Sequence, residues 1–384
     1  YAGSFRCVIV LGPALDLPVE LRADFVALED PLPDEEGYRE IVRRLHDDAA
    51  VKDVTPGTVA ASATAVRGLS AFGAEQVLAM SLGKLGVDVA AAWEHKRVAV
   101  NQIPGLTMTL DGPKLEDVKG QDAIVKIYRA LFSGPAKPEA VVLLDEVEKM
   151  MAGANANGPG DNTGVSQDAH MQLLTAMEDN GWTGSIIPGV PGTGKTLFAK
   201  SIGHAHGVPL IKVDLGGMKK EHVGSSEARI REALRTIKSI GDGRVVVLAT
   251  CNRIEALSPE FKRRFRMPVF YFDTPTADEA ATLWAHYMTA FHCDHEESSA
   301  AQMAARCPGW TGAEIRNACE MAWSLGMAIE EAASYIVPLA VSSPESIEAL
   351  RKQADGRWLS ASTGKLYRRT MSEDEPVSRR RVQV

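Results

Sequence analysis

A chain of 384 residues exceeds one ordinary domain and predicts two or three. Fractions of 45% hydrophobic and 24% charged residues describe a soluble globular protein and exclude a disordered or fibrous one. A formal net charge of -8 gives no global attraction to nucleic acid, which leaves only a local basic channel as a route to such a partner.

No apolar run approaches the roughly 18 residues needed to cross a bilayer, and no signal peptide opens the chain. The five cysteines Cys7, Cys251, Cys293, Cys307 and Cys319 lack paired spacing. Reduced thiols in a cytoplasmic setting, without a membrane, are the expectation.

Along the chain, residues 7–42 ("CVIVLGPALDLPVELRADFVALEDPLPDEEGYREIV") run parallel to 245–284 ("VVVLATCNRIEALSPEFKRRFRMPVFYFDTPTADEAATLW"). Each offers an apolar strand, a polar turn, an L-x-P element, a second strand, a proline break and an amphipathic helix. "GLSAFGAEQVLAMSL" (68–82) then parallels "GWTGAEIRNACEMAW" (309–323), so each half reads as one strand–helix module with a helical appendage. Chance likeness of two strand–loop–helix units is the alternative. The first copy begins at Tyr1 in mid-module, which predicts that residues upstream are missing.

Residues 84–131 read as linker and helix, ending in "KLEDVKGQDAIVKIYRALF". "VVLLDEVEKM" (141–150) follows, a buried-strand pattern delivering Asp145 and Glu146. The Gly/Asn/Pro-rich stretch 152–164 predicts a mobile loop, and "VSQDAHMQLLTAMED" (165–179) a helix with Val165, Met171, Leu174 and Met177 at helical intervals.

"GVPGTGKT" (189–196) fits G-x-x-x-x-G-K-[ST] in full, after strand-like "GSII" and before helical "LFAKSIGHAHG". Gly189, Gly192 and Gly194 let backbone N–H groups converge on phosphate oxygens beside a positive helix N-terminus. Val190, Pro191, Thr193 and Leu197 complete the cradle. Lys195 is expected to bridge the β- and γ-phosphates of ATP, and the Thr196 hydroxyl to join the Mg²⁺ shell.

Such a site needs a metal-binding acid and a group that activates water. Between the loop and "RVVVLATCN" (244–252) stand only the strand "PLIKVDL" and the helix "SSEARIREALRTIKSI", with no strand ending in paired carboxylates. Only 141–146 supplies them: Asp145 for the metal and Glu146 for the water. Taken alone, the same residues also fit a strand running into a helix N-terminus, where acids are favoured by the dipole. Asn252, at the end of "RVVVLATCN", can hold the attacking water or the γ-phosphate, or simply close a strand-end turn. "FKRRFR" offers Arg263, Arg264 and Arg266 as solvated residues or as an arginine finger. "FHCDHEE" (291–297) brings His292, Cys293 and His295 together without a second ligand pair, and a turn is favoured over a metal site.

In their order, "GVPGTGKTLFAKSIG", "DLGGMKKEHVGSSEARIREAL", "VVVLATCNRIEALSPEFKRRF" and "GWTGAEIRNACEMAW" resemble the AAA+ ATPases. The likeness is to the clade of proteasomal ATPases and FtsH-like proteases. Within it, "LDLPVEL", "LEDPLPDEEG" and "VPLAVSSPESIEALRKQADGRWLSAS" are similar to the uncharacterised chloroplast- and cyanobacterial-type AAA proteins, which carry a degenerate AAA-like module before the active one.

The resemblance implies a homo-hexameric ring with ATP at subunit boundaries. Lys195, Thr196, Asp145, Glu146 and Asn252 would act in cis, Arg263 and Arg264 in trans. Val118, Gly120, Gly312 and Ala313 would lie near adenine. Three departures stand out. The acidic strand precedes the phosphate loop, whereas the family places it after. The pore position reads His222-Val223-Gly224, beside Lys220, without the usual aromatic. The arginine loop lacks a spacer, and Arg316, nearest to a lid sensor position, equally suits a solvated helix face.

The expected fold is therefore α/β, a parallel P-loop sheet of permuted strand order with a helical lid. Its sheet order is arginine-loop strand, phosphate-loop strand, sensor strand, acidic strand and "PLIKVDL" strand. Expected divisions are a degenerate module at 1–95, an ATPase core at 96–276, a helical lid at 277–365 and a tail at 366–384. Mg²⁺-dependent ATP hydrolysis coupled to remodelling of a protein client is the expected activity. A nucleic-acid motor, with Lys219 and Lys220 as its only obvious pore cations, and a slow nucleotide-gated scaffold are the rivals.

Overall fold

The computed structural model describes residues 9, 20, 24–26, 31–52, 54–152, 165–214, 225–293 and 299–369. Of the predicted loop at 152–164 only Ala152 is described, as the last residue of a helix; the rest, the pore residues Lys219, Lys220, His222 and Val223, and His295 lie outside them, as does most of the first strand–turn unit. These residues form two compact units. One gathers the described residues up to Leu106 with 165–173 and 225–240; the other holds 107–152, 174–214 and everything from 241 on.

The first unit is built on helices Glu35–Asp48, Pro56–Val66, Ala71–Met80 and Val89–Asn101, with Ser225–Ile240 in the same unit. A tight hairpin, β1 (Leu82–Gly83) and β2 (Gly86–Val87), joins the third helix to the fourth. Asp34, Thr55, Ser70 and Asp88 each cap a helix by accepting a hydrogen bond from a backbone N–H of its first turn. The first helix packs on the second and third, and the buried Tyr38 hydroxyl donates to Leu69 O at 2.7 Å.

A matching helical group occurs within the second unit: Ala277–Ala290, Ala300–Arg306, Gly312–Leu325 and Ile329–Ser334. There too the first helix packs on the second and third. Gly68 (φ 95°) and Gly309 (φ 76°) adopt the left-handed backbone that favours glycine. Each is followed by a buried apolar residue, Leu69 or Trp310, and by a hydroxyl N-cap, Ser70 or Thr311. The sequence parallel between 68–82 and 309–323 thus has a parallel in local geometry.

The rest of the second unit is a sheet in the order β3 (Leu106–Thr109), β6 (Leu210–Val213), β4 (Ala140–Leu144), β7 (Val245–Cys251), β5 (Thr183–Pro188). β4 runs parallel to β6 and β7, and β5 parallel to β7. Every residue of β4 and β7 is buried, which is why both read as long apolar runs, broken only at Thr250. Val141, Leu143, Val246, Leu248 and Ile187 pack with Ile124, Tyr128 and Phe132 of helix Asp122–Ser133 and Phe198 and Ile202 of helix Lys195–Ala205.

The order of phosphate-loop, sensor, acidic and "PLIKVDL" strands is as expected. β8 (Phe270–Tyr271), after the arginine loop, continues beyond β5 through a parallel bridge between Gly189 and Phe272. Two features differ from the sequence reading. The segment read as linker and helix contains β3, whose Leu106 and Met108 are buried while Thr107 and Thr109 face out. Four alternating residues are too few to announce a strand by periodicity.

The chain also returns to the sheet after the four-helix group. β9 (Leu359–Ser360) pairs parallel with β8, and helix Pro344–Ala354 buries Ile347 and Leu350 against Val190 and Tyr271. Leu366–Arg369 are held there as well: the Tyr367 hydroxyl donates to Asp273 Oδ2 at 2.6 Å and Arg369 pairs with Glu348 at 2.6 Å. No helix among the described residues is long and apolar enough to cross a membrane.

Candidate nucleotide site

Three parallel strands, β4, β7 and β5, end at one edge of the sheet, with Leu144 opposite Ala249 and Pro188 opposite Cys251. The residue that follows each strand is therefore delivered to one place, where ligands bind in open parallel sheets. Asp145 follows β4, Asn252 follows β7 and the phosphate loop follows β5.

The loop turns through Gly192 (φ 80°) and Gly194 (φ 91°), and Gly194 caps helix Lys195–Ala205. Its far side rests on the helical group, for Ala313 N donates to Gly192 O at 3.0 Å. A Cβ on Gly192 would stand 2.9 Å from Thr311 Oγ1, so glycine is needed for space as well as for φ. Thr193 Oγ1 donates to Val190 O at 2.7 Å and braces the turn. Lys195 Nζ is folded into the loop, donating to Gly189 O at 2.9 Å and Val190 O at 2.8 Å.

The Asp145 carboxylate is the hub of the site. Its Oδ1 accepts from Thr196 Oγ1 and from Thr250 Oγ1, each at 2.8 Å, and its Oδ2 from Lys212 Nζ at 3.1 Å. Burial alone would raise this carboxyl, but the Thr250, Thr196 and Lys212 hydrogen bonds outweigh it and hold Asp145 below its ordinary value. Thr250 also accepts from Glu146 N at 2.9 Å, locking a residue whose φ is 51°. The Glu146 carboxylate pairs with Lys149 at 2.6 Å, in an exposed contact of the weak class.

A cavity of about 350 Å³ joins these parts. Pro191 to Leu197, Glu146, Thr250 and Asn252 line it, together with Val118, Gly120, Gly312, Ala313 and Tyr287. Four of the sequence-predicted cis residues, Lys195, Thr196, Glu146 and Asn252, thus line one cavity, and Asp145 is tied to it through its hydrogen bond with Thr196. Arg316 lines the cavity too, while its guanidinium pairs with Glu320 at 3.4 Å. Arg263 is exposed and Arg264 pairs with Glu178 at 2.7 Å; neither lines the cavity of its own chain.

Sequence reasoning missed Thr250, Lys212, Tyr287 and Glu148. Thr250 was within reach, because two residues before Asn252 on a strand means the same face. The other three carry no local motif.

A glycine-rich loop beside a hydroxyl–carboxylate pair at a sheet edge is an arrangement suited to holding a nucleotide's phosphates. Residues 185–242 match the family model described as "ATPase family associated with various cellular activities (AAA)". Among curated proteins, the uncharacterised AAA domain-containing protein ycf46 of Pyropia yezoensis is 26% identical over 230 residues, covering 47% of each chain. Its counterpart from Guillardia theta is 25% identical, covering 44% of each. The mitochondrial ATP-dependent zinc metalloprotease FTSH 3 of Arabidopsis thaliana is 28% identical, covering 36% of this chain and 23% of that one. The chain thus spans about half the length of the ycf46 relatives. The AAA domain of FIGL-1 with ADP aligns over 64% of this chain and 92% of that one, at 16% identity and a TM-score of 0.39.

The buried lysine yields a pH prediction. Burial pushes Lys195 down to about 8 from 10.5, against the opposing pull of nearby acidic groups. In that window the unfolded chain binds the proton and the folded one does not, so this group makes folding more favourable as pH rises from about 8 towards 10.5. Phosphate oxygens beside Lys195 reverse the shift, so binding ATP near pH 8 should take up about half a proton. Calorimetry in two buffers of different ionisation enthalpy reads this uptake; equal enthalpies in both would refute it.

Proposed function

We propose that the protein hydrolyses ATP with Mg²⁺ as a ring-forming ATPase and couples turnover to remodelling of a protein client. The observation that carries this reading is the Thr196–Asp145 hydrogen bond beside a cavity that Thr196, Lys195, Glu146 and Asn252 line.

The donor set fits Mg²⁺, since a hydroxyl and a carboxylate already in contact are the hard oxygens that ion prefers. Thr196 and Asp145 would hold it, the latter directly or through its water. When bound with ATP, the ion neutralises β- and γ-phosphate charge. Lys195 leaves its two loop carbonyls to contact those phosphates, and the N–H groups at the start of helix Lys195–Ala205 bind their oxygens. Glu146 exchanges Lys149 for the attacking water and accepts its proton, and Asn252 orients that water. Val118, Gly120, Gly312, Ala313 and Tyr287, which line the same cavity, would hold the purine.

In the ring we assign Arg263 and Arg264 to the neighbouring subunit's γ-phosphate, which agrees with their position away from their own cavity. The pore segment with Lys220, His222 and Val223 would grip the client. The acidic strand β4, placed before the phosphate-loop strand in the chain and between β6 and β7 in the sheet, is read as a permuted Walker B unit. Residues 1–95 are read as a degenerate AAA-like module, its second half together with a helical part.

Mixing tests the ring. A variant with both Arg263 and Arg264 changed to Ala should have little turnover alone, and so should Glu146→Gln. Mixed, the two should regain activity, because a wild-type Glu146 then faces wild-type arginines across the boundary. Mixtures no more active than the sum of their parts would refute action in trans. Stimulation by single-stranded nucleic acid and not by unfolded protein would refute the client class. Ring formation on ATP with no stimulation by either would favour the scaffold.

A further inference from the structure

The carboxylate of Glu148 is almost fully buried, at 5% exposure, and lines no part of the cavity. It stands in the first turn of helix Val147–Ala152, which packs on β7 and on the short 3-10 turn Ile254–Ala256 that follows Asn252. One oxygen, Oε1, accepts twice from a single residue: from Asn252 N at 3.1 Å and from Asn252 Nδ2 at 3.0 Å. The other, Oε2, is buried and has no hydrogen-bond partner among the described residues.

This arrangement is costly for stability alone. A buried carboxylate with a bare oxygen is disfavoured, and a neutral acceptor would cap a strand-end amide at lower cost. What the carboxylate adds is control of Asn252. Two hydrogen bonds converging on one atom fix both the backbone turn and the side-chain rotamer. Flipping the carboxamide would press its oxygen against the carboxylate, so the amide has one orientation. Without Glu148 an asparagine at a strand end has several rotamers, few of which face the cavity.

We infer that Glu148 is a positioning residue for ATP hydrolysis, acting through Asn252: it aims the Asn252 carboxamide at the attacking water and touches neither nucleotide nor water itself. The inference rests on the ATPase reading above. It separates the two acids of "DEVE", giving Glu146 the proton and Glu148 the geometry.

The experiment is a double-mutant cycle on Glu148 and Asn252, read as turnover per nucleotide-binding site. Glu148→Met keeps the length and removes the acceptor, and should lower kcat about tenfold or more while the Kd for ATP stays within about twofold. Glu148→Gln keeps an acceptor and should restore kcat to within about threefold of wild type. Asn252→Ala should lower kcat, and Glu148→Met added to it should cost less than about twofold more.

Wild-type turnover by Glu148→Met, multiplying losses in the double variant, or an unimpaired Asn252→Ala would each overturn the inference. Should Glu148→Met fail to fold, Glu148→Asp keeps the charge but shortens the reach. It should then lose several-fold in kcat, and full activity would overturn the proposal. A wild-type protein without turnover would instead strike the ATPase reading itself.

Discussion

Replacing Glu146 by Gln is expected to leave ATP binding within a few-fold of wild type while lowering turnover by about 10²–10⁴, the contribution of a positioned general base. Glu146 sits at φ 51°, a backbone region sparsely used by residues other than glycine, and Thr250 holds its N–H there. That strain turns the side chain towards the cavity it lines. Its ion pair with Lys149 is exposed and readily exchanged for water. Glutamine preserves shape and hydrogen bonding but cannot take a proton, so binding and chemistry separate. Single-turnover hydrolysis and equilibrium titration with a fluorescent ATP analogue measure the two. Turnover at the wild-type rate would refute the role of Glu146, and a matching loss of affinity would make it a binding residue.

Lys195→Met should act on binding. A hydrogen bond to a charged group contributes about 1.5–3 kcal/mol, and Lys195 is placed to make two when it leaves the carbonyls of Gly189 and Val190. Affinity should fall roughly 10²-fold or more, with turnover below detection. The nucleotide-free fold should persist, because methionine fills the same buried space without a desolvated ammonium. Thermal melts separate these effects. Wild type at a hundredfold excess of ATP over Kd gains about 2.7 kcal/mol, and the variant should gain almost nothing. A wild-type ATP-dependent shift in the variant would refute the assignment.

The two substitutions bracket the site: one removes the chemistry and keeps the ligand, the other removes the ligand and keeps the fold. Glu148 lies behind both. Its carboxylate contacts Asn252 and does not line the cavity, so under the proposal its loss should resemble neither.

Much of this site is written locally. "GVPGTGKT" needs only eight consecutive residues to specify two left-handed glycine turns, a lysine and a hydroxyl at a helix start. Buried parallel strands are visible because both faces must be apolar, as in "VVLL" and "VVVLA". The order of β6, β4, β7 and β5 also followed from the sequence and its resemblance, although the acidic strand comes first in the chain.

Other features depend on contacts that no local pattern records. Asp145 and Thr250 are 105 residues apart, as are no neighbours on any helix or strand, and only the pairing of β4 with β7 brings them within 2.8 Å. The same pairing sets Glu148 beneath Asn252 and turns an ordinary helical glutamate into a buried acceptor. β3 was too short to show a period, and the return of β9 to β8 is a long-range pairing with no turn signal to announce it. Sequence alone nominated the groups proposed for the chemistry, since backbone conformation and side-chain type are properties of a few adjacent residues. Tertiary structure decided which groups hold them in place, since those contacts exist only once distant strands pair.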